Sequence, residues 1–169
     1  MDEAKGIRAT KNQARRVHAL RIIGSSCGCL AGIAITAFLS AESGYTFLLP
    51  SFGASSVILF VIPASAYAQP RSLVGGHLLA SVVGLAFYLG LGTTWWSLSL
   101  SVGVAVAAML LSRTLHPPAA ADPLFFIMQG GLTWQAVVVP ALVGSVVLVV
   151  FAYIYNNRIM RQAYPQYWF

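Results

Sequence analysis

Apolar residues fall into six blocks along the chain, at 19–40, 46–66, 73–92, 96–112, 123–129 and 134–155, with short polar breaks between them. Each long block is near the roughly 20 residues that a helix needs to cross a hydrocarbon core. The fifth block is too short to cross as a helix alone. It is preceded by Leu115-His116-Pro117-Pro118-Ala119-Ala120-Ala121, then Asp122-Pro123. Two prolines fix their own φ and push their predecessors towards extended geometry, so Arg113 to Ala121 reads as irregular backbone. Asp122 followed by Pro123 reads as an N-cap and first helical residue, which starts a half-length helix. About five extended residues and about ten helical ones together span the core, so segment five can still cross.

With 58% hydrophobic residues, 8% charged and a mean hydropathy of +0.77, the chain has more apolar surface than a soluble domain of 169 residues could bury. The composition therefore predicts an all-α integral membrane protein whose main partner is the lipid bilayer. No polar linker divides the apolar region, so it reads as one transmembrane domain, 19–155, between a basic N-terminal tail, 1–18, and a C-terminal tail, 156–169. Cys27 and Cys29 are the only cysteines and lie one residue apart, too close for a bridge. They read as small buried residues, with no zinc-type spacing, and neither a metal nor a cofactor is expected. Nothing in the chain suggests a nucleic-acid partner.

Charge placement tests the topology. If all six segments cross and the N-terminus is cytoplasmic, the ten Lys and Arg residues fall on one side: the tail through Arg21, then Arg71, Arg113, Arg158 and Arg161. If segments two and five are re-entrant hairpins, Arg71 and Arg113 move outside. Six crossings is the preferred reading. Tyr45, Trp95, Trp96 and Trp134 then sit at the outer boundary, and Tyr67, Tyr153, Tyr155, Tyr164, Tyr167 and Trp168 at the inner one. Residues 1–18 read as a plain cytoplasmic tail before a surface helix, because Ile7, Val17 and Leu20 make a thin apolar face. The first apolar run is too long for a cleaved signal peptide.

Pro50-Ser51-Phe52-Gly53-Ala54-Ser55-Ser56 followed by Val57-Ile58-Leu59-Phe60 aligns with Pro117 to Ile127, placing a proline, small residues, a capping residue and an apolar run in the same order. Ser55 falls opposite Asp122. The expected architecture is two inverted three-segment repeats, 19–92 and 96–155, with segments two and five broken. Segment two would be extended from Tyr45 to Ala54 and helical from about Ser55. Two half-helix N-termini would then meet near the midplane and offer their unpaired N–H groups to a small anion or polar solute. The candidate solute-binding residues are Ser51, Gly53, Ser55, Ser56, His116, Pro117, Pro118 and Asp122, and the candidate proton relay is His116, Asp122 and His77.

Each has a plainer reading. Asp122 reads first as a helix cap and second as a proton carrier. His77, after Gly75 and Gly76, could be interfacial, whereas His116 reads as functional because ionisable groups at membrane depth are costly. Gly24, Gly28 and Gly32 form a small-residue ridge, as do Gly76, Ala80 and Gly84, and both read as packing seams. A homodimer through one of these ridges is a further expectation.

His116-Pro117-Pro118, the Pro50 to Ser56 stretch and Gln69-Pro70-Arg71-Ser72-Leu73-Val74-Gly75-Gly76-His77 together resemble the HPP family of integral membrane proteins, over about residues 20 to 155. The resemblance implies a small membrane transporter, with nitrite transport attributed to photosynthetic members, and family descriptions give four spans. Where the family commonly has Gly-Ala-Thr after the prolines, this chain has Ala120-Ala121-Asp122, and an ionised Asp122 would repel an anion. The leading expectation is a transporter or channel for a small solute, a monovalent anion such as nitrite first, with proton coupling through His116 and Asp122. A cationic or neutral solute and a non-transporting scaffold subunit are the alternatives. An enzyme is not expected, since no nucleophile, base and orienting group are recognisable as a set. A bacterial inner membrane is the expected location, with both termini cytoplasmic.

Overall fold

The computed structural model describes the backbone of residues 2–130 and 133–168, with side chains from residue 13 onward. The side chains of Lys5, Arg8 and Lys11 lie outside the described residues. The chain is all-helical among those residues, and six helices follow the six apolar blocks. They are α1 (Asp2–Ser43), α2 (Phe52–Val61), α3 (Pro70–Leu91), α4 (Trp95–Leu111), α5 (Asp122–Gln129) and α6 (Trp134–Ile159). Three of them contain stretches long and apolar enough to cross a membrane, namely Gln13–Ser43, Pro70–Leu91 and Trp134–Ile159. Large apolar side chains such as Leu30, Leu89, Leu111 and Trp95 stand exposed on the outside, as suits a protein solvated by lipid. The molecule is an integral membrane protein.

Local chemistry accounts for the helix ends. Thr94 and Thr133 cap α4 and α6 by accepting from the N–H groups of Ser97 and Ala136. Pro70 opens α3 at a position where no N–H is needed. α4 closes with Arg113 in the left-handed region (φ 57°), so that the Thr114 N–H reaches back to the Met109 carbonyl. Pro140 removes one helical hydrogen bond inside α6, and the helix widens there into a π turn, Pro140–Gly144. The tail residues before the first apolar block are helical and continuous with it, and α6 runs past residue 155 as a second π turn, Tyr155–Ile159.

The broken segments differ from expectation in two details. α2 begins at Phe52, three residues before Ser55, because Pro50 already starts a turn: the Phe52 and Gly53 N–H groups bond the Leu49 and Pro50 carbonyls. The approach to α5 is irregular as far as His116, but Pro117–Ala121 is a 3-10 helix, whose first two positions tolerate proline because their N–H groups would have no partner. α2 then runs towards one end of the molecule and α5 towards the other. The end reached by α2 carries the basic residues. There the Arg71 guanidinium donates to the Ser112 carbonyl, and Arg21 faces residues 62–65 and the C-terminal tail. At the opposite end Thr93 Oγ1 donates to the Ile127 carbonyl, and Tyr45, Trp95 and Trp134 are exposed.

Both glycine ridges are filled within the chain. A Cβ on Gly28 would lie 2.8 Å from the Phe60 ring and 2.9 Å from the Tyr155 ring, which is how closely α1 packs on α2 and α6. A Cβ on Gly84 would lie 2.7 Å from the Pro123 Cα, and one on Gly76 would lie 2.7 Å from the His116 Cβ. The seams hold the helices together, as expected, and neither ridge is left for a second copy. Cys27 is exposed on the open side of α1 and Cys29 is partly buried, which corrects their reading as buried residues: α1 packs through one face only.

The C-terminal tail folds back instead of trailing away. Tyr164, expected at the interface, is 2% exposed, and its hydroxyl donates to the Ala68 carbonyl at 2.8 Å. Asn157 brackets the Tyr164 backbone on both its N–H and its carbonyl. Gln69 accepts from the Gln166 N–H through Oε1 at 2.8 Å and donates through Nε2 to the Pro63 and Ser65 carbonyls. The tail is thus latched onto the 62–69 connection. Burial pushes the Tyr164 phenol above its ordinary value. A raised phenol favours the fold below about pH 10, and that stability is lost as pH climbs above it, because the unfolded chain sheds the proton first. Tyr164→Phe should cost about 1 kcal/mol at neutral pH. It should also flatten the alkaline limb of the melting-temperature profile in detergent; an unchanged limb would show that another group sets it.

Candidate functional site

Where the N-termini of α2 and α5 meet, five helical or flanking segments place polar side chains in one buried cluster. Ser51 comes from the turn before α2 and Ser55 from its first full turn. His77 and Ser81 lie four residues apart on α3 and share a face. His116 ends the loop after α4, and Asp122 opens α5. Ser51 is 7% exposed and each of the others is 1% exposed or less.

Asp122 is the hub. Its Oδ1 accepts from the Ser51 hydroxyl at 2.5 Å, and its Oδ2 accepts from His77 Nδ1 at 2.7 Å and from the Ser81 hydroxyl at 3.3 Å. This corrects its reading as a cap. Asp122 is the first residue inside α5, Ala121 holds the N-cap position, and no side chain caps the helix. The carboxylate is drawn into the cluster because three donors from α3 and the start of α2 satisfy it better than a single N–H could. The position foreseen for a bound anion, between two helix N-termini, therefore holds the protein's own carboxylate.

From Asp122 a chain of contacts runs outward. His77 Nε2 lies 2.9 Å from Ser55 Oγ, which lies 2.8 Å from His116 Nε2, and His116 Nδ1 donates to the Tyr67 carbonyl at 2.7 Å. The two imidazoles stand 4.9 Å apart, and the Phe52 ring meets His77 edge-on at 4.9 Å.

Counting donors constrains the protons. A carbonyl only accepts, so His116 Nδ1 carries a proton. If Asp122 is ionised, His77 Nδ1 carries one as well. With both rings neutral, both Nε2 atoms would be acceptors facing a hydroxyl with one proton to give, and one lone pair would be left against another in a buried site. One further proton removes the conflict: one Nε2–H donates to Ser55 Oγ, and Ser55 donates to the other Nε2 in preference to the Ser51 carbonyl, which lies farther off at 3.2 Å. If Asp122 instead holds its proton and donates it to His77 Nδ1, the total is the same. In this arrangement the cluster has zero net charge, which is the cheap state at membrane depth.

The sequence-predicted residues divide clearly. Ser51, Ser55, His77, His116 and Asp122 come together. Ser56 turns away and donates to the Gly53 carbonyl at 2.7 Å. Gly53 is exposed, with open space where a Cβ would stand. Pro117 is exposed and Pro118 buried, and they shape the 3-10 turn without offering the cluster a polar group. Ser81 was missed, although its spacing of four from His77 was a readable signal. The Tyr67 carbonyl had none. Among the described residues no group of three or more His, Cys, Asp or Glu side chains could hold a metal.

A family model described as HPP, transmembrane region, matches residues 14–165. Two proteins of Dictyostelium discoideum, each named only as a transmembrane protein, are similar. One is 34% identical over 148 residues, covering 81% of this chain and 48% of the relative. The other is 35% identical over 128 residues, covering 72% and 45%. The chain thus spans about half the length of these relatives. No solved structure matches.

Ser55→Ala should destabilise the protein by about 1–3 kcal/mol, because it strips both imidazoles of their shared partner without changing the packing volume much. Denaturant or thermal unfolding in detergent measures this, and wild-type stability would mean that the hydroxyl joins neither ring.

Proposed function

As the chain belongs to the HPP transmembrane family, we propose that it is a proton-coupled transporter of a small solute, with its site where α2 and α5 meet near the bilayer midplane. The observation that carries the reading is Ser55 Oγ held between the Nε2 atoms of His77 and His116, at 2.9 and 2.8 Å. A proton leaving one ring for the hydroxyl, as the hydroxyl proton passes to the other ring, moves one charge between two imidazoles without moving a heavy atom far. Asp122 stabilises the charge on His77, and the Tyr67 carbonyl holds His116 in one tautomer. The opposed directions of α2 and α5 support two inverted three-segment repeats with both broken segments crossing. The cluster of basic residues at one end supports cytoplasmic termini in a cell inner membrane.

Neutrality selects the coupling. The cluster is uncharged with one extra proton, so a second proton makes it cationic and able to hold one monovalent anion, nitrite being the leading candidate. Anion and proton would cross together. A second reading follows from Asp122 already occupying the place of an anion: loss of the extra proton leaves one negative charge, which suits exchange of a proton for a small cation. A nucleophilic role for Ser55 has less support, although His77 and Asp122 stand as a base and its orienting acid would. His116 fills the side of the hydroxyl where a substrate carbonyl would have to lie.

Uptake into proteoliposomes of nitrite, nitrate, formate, chloride and small monovalent cations, under inward and outward proton gradients, tests the proposal. Saturable flux of an anion should rise with an inward gradient. His77→Gln, His116→Gln and Ser55→Ala should each lower it by about 100-fold or more while remaining folded. Wild-type flux in these variants removes the relay. No flux of any solute from folded protein favours the scaffold reading.

A further inference from the structure

A cavity of about 1010 Å³ opens at the basic end, between α1 and the latched tail. Its apolar wall is Ile22 on α1 with Val57, Val61 and Ile62 at the end of α2, and its polar rim is His18 and Arg21 on one side and Ser65, Gln162 and Gln166 on the other. No acidic residue is among the described residues that line it.

Among the described residues no carboxylate answers the charge on Arg21. The chain has four acidic residues, Asp2, Glu3, Glu42 and Asp122. Asp122 is committed to the buried cluster, and Glu42 lies at the opposite end of α1. Asp2 and Glu3 are on the same helix as Arg21, at least 18 positions away, or about 27 Å along its axis. Among the described residues Arg21 joins no ion pair. Arg21 is exposed and open to an external anion, and the cavity offers that anion an apolar wall running into the membrane. This is the chemistry of a phospholipid, whose phosphate would meet Arg21 and His18 while its first acyl carbons lie along Ile22, Val57 and Val61.

We propose that this cavity binds the headgroup of one anionic phospholipid, which bridges α1 to the latched tail. The site is separate from the buried cluster, and its occupancy does not depend on transport. α1 touches the rest of the fold through one narrow face, so a lipid wedged here would tie α1 to the loop whose Tyr67 carbonyl anchors His116.

Native mass spectrometry of the full chain released from detergent containing phosphatidylglycerol or phosphatidylcholine reads the stoichiometry directly. The expected result is one retained phosphatidylglycerol, no comparable retention of phosphatidylcholine, and at least tenfold weaker retention in Arg21→Gln. Arg158→Gln, outside the cavity lining, should bind as the wild type does. Equal retention of the two lipids, or unchanged retention in Arg21→Gln with its melting temperature preserved, overturns the proposal. Displacement of the lipid by millimolar inorganic phosphate also overturns it, since the cavity would then be a site for soluble phosphate.

Discussion

A carboxylate at membrane depth must be answered by donors, and the centre of this protein is arranged to answer Asp122. Its three donors come from the turn before α2 and from two successive turns of α3. Satisfying one charge therefore fixes the relative positions of three segments, including the two broken ones. The non-helical backbone nearest the cluster, at Leu49 and Ser51 and at Thr114 and His116, is buried in protein, which is the setting such backbone needs at membrane depth. The Thr114 and His116 side chains pack against Gly75 and Gly76, and Pro123 against Gly84, at distances that any larger residue on α3 would forbid. Small residues on α3 and the acid on α5 thus belong to one device: the glycines admit the turn, and the turn delivers the carboxylate.

The same arrangement suits the proton-handling role proposed for the site. A buried acid beside a single neutral histidine would leave a net charge in a medium that penalises it. Two histidines joined through one hydroxyl give the missing proton two places to sit. Its position can change while the net charge does not, which is what the proposed transporter would need to load and unload without exposing a bare charge to lipid. Outside the cluster, the path of the chain closes the basic end. His116 leans on Tyr67, the 62–69 connection is tied to the tail through Gln69 and Ala68, and the tail is held by Asn157 on α6. Motion of the tail would therefore reach the last link of the hydrogen-bond chain.

Much of this was legible from residue order. Paired prolines before Asp122-Pro123 signal a broken segment, because their effect on φ is local and strong. Spacing of small residues every four positions signals close helix packing, because such residues share one helix face and carry no bulk to hold a neighbour off. Asp122 itself was read as a cap because the local signal for a cap, an acid before proline at a helix start, is identical to the signal for an acid projecting into a site. Only the tertiary partners, 41 to 71 residues away, separate the two. Ser56 and Gly53 shared a motif with Ser51 and Ser55 but not a helix face, since α2 starts earlier than the Ser55 cap would require. The latch was invisible: nothing local in Tyr164 or Gln166 says that a tail folds back.

The central claim is that the cluster holds one proton beyond two neutral Nδ1–H histidines and an ionised Asp122. Nitrogen-15 NMR of histidine-labelled protein at neutral pH reads it most directly, with His77→Gln and His116→Gln assigning the signals. The account predicts that at least one of the two Nε2 atoms is protonated and that His116 Nδ1 is protonated. Two neutral rings with both Nε2 atoms bare would contradict it.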